Sequence, residues 1–178
     1  MTLSFTSGWL KFVLGWSAVF LFRLIPFRLP NVEPMLATIM PFSKRIGAFG
    51  GFAFAFLGIV VYDAVTSGWG SWTWVTAFAY GGLAVASYFY FKSRKTSRAN
   101  FIGFGIIATL VYDAVTGIVL GPVFFNQSLA SAAAGQIPFT VLHVLGTIVF
   151  AAFPSPVIAR WIARSPQQSF STVSERAI

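Results

Sequence analysis

Apolar residues come in long runs separated by short polar breaks, and a helix that crosses a bilayer needs roughly 17–25 of them. Trp9 to Pro26 is the first such run, with Arg23 near its end. Arg28-Leu29-Pro30-Asn31-Val32-Glu33-Pro34 follows as a polar segment broken by two prolines. Met35 to Phe42 is apolar but too short to cross alone at 1.5 Å per residue, and it ends at Pro41 and Lys44-Arg45. Further runs extend over Ile46–Thr66, Trp72–Phe91, Phe101–Val119 and Pro138–Ile162, the last with a kink expected near Pro154 and Pro156. The Ser- and Gln-rich stretch from Ser165 to Ile178 reads as a disordered tail. The pattern predicts an all-α bundle of six membrane helices, the second one short, in a single domain over residues 1–164. Five crossings would result if Met35–Phe42 only re-enters.

Composition narrows the class further. Of 178 residues, 57% are hydrophobic and only 9% charged, too few charges to cover a soluble domain, where about 25% is usual. A soluble enzyme, a disordered chain and a collagen-like chain are excluded. There is no Cys, so thiolate metal sites and Cys nucleophiles are excluded too. The first apolar run continues to Arg23 and Arg28 without a small-residue cleavage site, so it reads as a retained helix and not as a signal peptide. The net charge of +8 would suggest nucleic acid in a soluble protein, but position decides otherwise. Lys11, Lys44/Arg45, Lys92–Arg98 and Arg160/Arg164 all fall on one side of a six-crossing chain. The connections Ser67–Ser71 and Leu120–Ile137 carry no charge. The positive-inside rule then places both termini in the cytoplasm, with Arg28 the exception beside Glu33.

Tyr62-Asp63-Ala64-Val65-Thr66 recurs as Tyr112-Asp113-Ala114-Val115-Thr116, 50 positions later. The natural repeat unit is a helical hairpin, 44–92 and 98–164, in parallel orientation, as in many transporters. An acid inside a membrane helix is costly, on the order of 2.5–3.5 kcal/mol at the centre, and normally faces the bundle interior or a water-filled cavity. Asp63 shares a helix face with Thr66, and Asp113 with Thr109 and Thr116. The expectation is two polar walls of an outward-facing pocket; the alternative is a pair of helix-end acids bonded to neighbouring helices or to Arg23. Arg28, Asn31, Glu33, Trp72 and, deeper, Tyr80 complete the candidate binding set, with Arg23, Thr73, Thr76, Asn126 and Gln127 on the same side. Trp69, Trp72 and Trp74 also suit an interfacial belt. The single His143 suits a helix–helix hydrogen bond better than a metal site.

Small residues recur every four positions, as Gly47-Gly51-Ala55, Ala77-Gly81 and Gly105-Thr109-Asp113-Gly117. Such rows let helices approach closely, either within the chain or against a partner. No phosphate loop, Ser-His-Asp pattern or His-x-x-x-His pair is present. The chain is therefore expected to be no enzyme, to need no cofactor and to hydrolyse no ATP.

Together these features resemble the substrate-binding (S) subunits of energy-coupling factor transporters, the prokaryotic importers of vitamins and micronutrients. The residues that carry the likeness are the opening of the short second helix, Arg28-Leu-Pro-Asn-Val-Glu-Pro-Met, the aromatic turn Gly68-Trp69-Gly70-Ser71-Trp72-Thr73, and Ala79-Tyr80-Gly81-Gly82. It covers roughly residues 10–163. The resemblance implies a small solute held between the outer halves of the helices. It also implies a transmembrane coupling subunit driven by two ATPases, and a plasma-membrane location among membrane lipids without nucleic acid. Members often carry Ala-x-x-x-Ala on the first helix; here Gly8, Gly15, Ser17 and Ala18 stand without that spacing. Two other classes compete: a structural or assembly subunit of a larger membrane complex, and an intramembrane enzyme using Asp63 and Asp113. Two acids permit a cationic solute, but also a neutral heterocycle with N–H donors.

Overall fold

The structure, a computed structural model, describes residues 3–27, 29 and 31–163. Arg28, Arg164 and the expected tail at 165–178 lie outside the described residues. Helices α1 (Leu3–Arg23), α2 (Met35–Thr66), α3 (Ser71–Lys92) and α4 (Arg98–Asp113) lead into a π-helical segment, Ala114–Leu120. Then come α5 (Gly121–Phe125), α6 (Leu129–Ala152) and α7 (Pro154–Ala163). No strand occurs among the described residues.

α2 is not one rod but two helices joined at a kink. Gly47 sits at φ 86°, ψ 173°, a backbone conformation that glycine alone adopts readily. The chain reverses there. A Cβ on Gly58 would lie 2.7 Å from Met35 Cε, although the two residues would be about 34 Å apart along a straight helix. Gly51 meets Ser43 in the same way, and Phe42 stacks on Phe54 at 4.9 Å. The two arms, 35–46 and 48–66, thus correspond to the second and third runs of the sequence. Their boundary is Gly47 and not the Lys44-Arg45 pair. Gly47 was expected in a packing row with Gly51 and Ala55; it is instead the turn that lets the row face the first arm.

That first arm is the centre of the molecule. Every residue from Met35 to Ser43 is buried, as expected of a helix that is apolar all round. Phe42 and Phe54 meet the edge of the Phe12 ring, Gly15 of α1 leaves room for the Phe42 ring, and Ser155 of α7 donates to the Ala37 carbonyl at 2.7 Å. The other small residues also seat neighbours within the chain. Gly81 faces the Phe52 ring, and a Cβ on Gly105 would lie 2.8 Å from Thr147 Cγ2.

Two helix boundaries depart from the apolar pattern. The fifth run was expected to stop at Val119, yet the helix continues through the π-helical segment and α5 to Phe125. The uncharged connection 120–137 is therefore mostly helical. Ser128 caps α6 by accepting from Ser131 N–H at 3.1 Å, so α6 starts well before Pro138, which lies inside it. The expected break before Pro154 is present, at Phe153.

The two ends differ in chemistry. Lys11 Nζ donates to the Trp161 carbonyl at 2.6 Å, and Lys44 Nζ to the Arg94 carbonyl at 2.7 Å. Arg98 lies over the Phe153 ring. The basic clusters thus meet at one end, while Arg23, Glu33 and Asp63 meet at the other around a common cavity. Between them the exterior exposes Leu57, Phe78, Phe89, Ile107, Val141, Leu145 and Val149. Three helices, Met35–Thr66, Arg98–Phe125 and Leu129–Ala163, are long and apolar enough to cross a membrane.

The Gly47 reversal makes a stability prediction. Gly47→Ala should cost about 1–3 kcal/mol from backbone strain alone. Gly82→Ala, on an exposed helix position with open space around it, should be neutral or stabilise by up to about 1 kcal/mol. Thermal unfolding of the two variants in one detergent compares them directly.

Candidate functional site

At the acid end the helices enclose a cavity of about 650 Å³, within the usual range for small-molecule sites. The segment after α1 roofs it, with Phe27 and Asn31 both in left-handed backbone conformation, at φ 60° and 63°. Five helices supply the walls: Arg23 from α1, Tyr62 and Asp63 from α2, Trp72 and Tyr80 from α3, Tyr112 from α4, and His143 from α6.

Arg23 ends α1 inside the bundle. Its guanidinium pairs with Glu33 at 3.0 Å, both side chains being about nine-tenths buried, and lies over the Tyr62 ring at 4.4 Å. Glu33 also accepts from the Tyr80 hydroxyl at 2.6 Å. One ion pair therefore ties α1, the loop and α3 together. Tyr62 donates to the Arg23 carbonyl at 3.2 Å, meeting an acceptor left open at the helix end. A buried charge without such partners would be expensive.

The repeat has a matching structural role in both copies. Asp63 accepts from Thr73 on the next helix at 2.6 Å, while the Thr73 hydroxyl also accepts from Gly70 N–H at the start of α3. Asp113 bonds His143 Nδ1, likewise on the next long helix, at 2.8 Å. Thr66 and Thr116 each donate to the carbonyl of their own motif tyrosine, Tyr62 and Tyr112, at 2.8 Å. Asp63 and Thr66 do line one cavity, whereas Asp113 and Thr116 do not share one. A threonine in a helix can satisfy itself on the preceding turn, and both threonines do so.

The two aspartates also part company. Asp63 is half-buried and lines the cavity. Asp113 is 2% exposed and sits behind His143, with Oδ2 unpartnered among the described residues. The expectation of two equivalent acidic walls therefore fails, because a histidine on α6 stands between Asp113 and the cavity. The acid that pairs with Arg23 is Glu33.

Of the residues expected at a binding site, Glu33, Asn31, Asp63, Thr66, Trp72 and Tyr80 line this cavity. Thr116 lines a smaller one of about 370 Å³ between the π-helical segment and α6, which shares Trp72 and Tyr112 with the first. Arg28 lies outside the described residues. The sequence reading missed Tyr62 and Tyr112 as lining groups, although both stand in the repeated motif. It also missed His143 as a wall, for which no local signal exists.

Breaking the hidden pair should be measurable. A double-mutant cycle of Asp113→Ala and His143→Ala should give a coupling of about 0.5–2 kcal/mol, the range for hydrogen bonds between membrane helices. The Asp63–Thr73 cycle should give less, since Asp63 is only half-buried. Unfolding by denaturing detergent measures both.

Protein-family models, curated proteins and solved structures were each compared with this chain, and none matches it.

Proposed function

We propose that the chain is a substrate-binding membrane subunit that holds a small polar solute in the cavity at its acid end. One observation carries the reading. A cavity of about 650 Å³ is walled by five helices and combines aromatic rings with an ion pair, a half-buried carboxylate and an imidazole. Polar groups fixed among aromatic and aliphatic side chains give such a site orientation and specificity. Binding is non-catalytic and uses no cofactor.

In this reading the chain crosses a prokaryotic plasma membrane six times, the second crossing made by the short 35–46 arm together with the segment that leads into it from α1. The basic end and both termini face the cytoplasm, in keeping with the positive-inside rule. Release of the solute inward depends on a coupling subunit and ATPase subunits, as the family resemblance implies. The competing reading, an assembly subunit, draws on the mutual pairing of Arg23 with Glu33 and Asp113 with His143, since such pairs also serve as interhelical ties.

The protein purified in mild detergent should carry a near-stoichiometric solute detectable by mass spectrometry. Trp72→Ala should lower its affinity about tenfold or more, equivalent to about 1.4 kcal/mol. A preparation free of solute, equally stable, and stoichiometric with another membrane protein on pull-down would favour the assembly reading.

A further inference from the structure

Resting on the substrate-binding reading, the charge distribution in the large cavity narrows the class of solute. Three acids lie at this end of the bundle, but they are not equivalent. Glu33 is cancelled by Arg23 at 3.0 Å. Asp113 does not line the cavity, and His143 stands in front of it at 2.8 Å. If His143 is protonated, Asp113 cancels it; if it is neutral, the pair adds negative charge. Asp63 is the remaining lining carboxylate. It accepts from the neutral Thr73 hydroxyl at 2.6 Å and has no cationic partner among the described residues. Asp63 is therefore the lining carboxylate that no cation balances among the described residues.

The remaining lining suits the same kind of ligand. Trp72, Tyr80 and Tyr112 face the cavity together with Asp63, and ring faces attract a cation within about 6 Å. The Tyr62 ring already carries the Arg23 guanidinium at 4.4 Å, so the cavity holds one such contact built from its own residues. A carboxylate away from bulk water attracts an opposite charge far more strongly than it would in water, and an anion would meet Asp63 without a compensating cation.

We infer that the cavity takes a small organic cation with a flat apolar body, its positive group beside Asp63 and its body against Trp72 and the Tyr80–Tyr112 pair. Tyr80 and Tyr112 pack on each other with ring centres 4.5 Å apart, which fixes that wall before any ligand arrives.

Benzylamine, benzyl alcohol and benzoate share one ring and differ in charge. They can be compared by ligand-detected NMR on the full chain in lipid nanodiscs, with empty nanodiscs as the blank. Benzylamine is expected to bind about tenfold more tightly than the other two, a difference of about 1.4 kcal/mol. In Asp63→Asn, which keeps an acceptor for Thr73, that preference should vanish. Benzyl alcohol or benzoate binding as well as benzylamine, in a manner that Trp72→Ala abolishes, overturns the cation inference and leaves the substrate-binding reading standing. A preference for benzylamine that survives Asp63→Asn overturns the role of Asp63 and with it the inference. If none of the three binds and no solute co-purifies, the substrate-binding reading falls and takes the inference with it.

Discussion

A helix of about 18 Å cannot cross the roughly 30 Å hydrocarbon core of a bilayer, and its ends cannot be left in lipid with backbone groups unsatisfied. The arm 35–46 is such a helix, and the bundle is arranged around enclosing it. α1 lays Gly15 over the Phe42 ring. α7 reaches the Ala37 carbonyl through Ser155. The 48–66 arm closes on it through Gly51 and Gly58. The arm also enters the bundle late, because residues 24–34 are spent crossing the acid end. The cavity lies at this end, lined by residues of the segment after α1 and of the surrounding helices.

The polar groups of that end divide between support and recognition. Arg23–Glu33–Tyr80 and Asp113–His143 join elements distant in sequence, and both are largely buried. Such networks rigidify a bundle as far as their members are satisfied, and here Asp113 Oδ2 is left without a hydrogen-bond partner among the described residues. Asp63 differs in being half-buried and held by a hydroxyl alone. The repeated motif supplies the same backbone-bonded threonine and the same tyrosine in both halves, but it hands one aspartate to the cavity and the other to a histidine. Identical pentapeptides thus do different work because the next helix presents Thr73 in one case and His143 in the other.

Much of the fold was legible in the sequence, because apolar runs and basic breaks are set by bilayer thickness and charge cost. The helical class, the break at Phe153 and the shared end of Lys11, Lys44 and Arg94 were all accessible in that way. Gly47 was not, because a glycine at four-residue spacing from Gly51 looks like a packing position, and only backbone angles distinguish a turn. The helical nature of 120–137 was hidden by its weak apolar pattern and by Pro138. Six of the nine expected binding residues line the main cavity, Arg28 lies outside the described residues, and Thr116 and Asp113 stand elsewhere because of side-chain direction. Thr116 lines the smaller cavity, and Asp113 is bonded to a residue 30 positions away.

The π-helical segment has a consequence for how the two halves of the chain relate. In the first copy of the motif the helix ends after Thr66, and Gly68 turns the chain at φ 78°. In the second the chain continues over Ala114–Leu120 with a wider winding. Wider winding accommodates one more residue per turn than the α-helix, and one residue on an α-helix corresponds to about 100° of rotation. That added rotation aims α5 so that Phe124 and Phe125 meet Trp72 at 5.7 and 5.0 Å. Removing a single residue from this stretch would swing both rings away from Trp72 while leaving Tyr112 and Asp113 in register. The phase of one helix therefore decides whether the two cavities share an aromatic wall or run together.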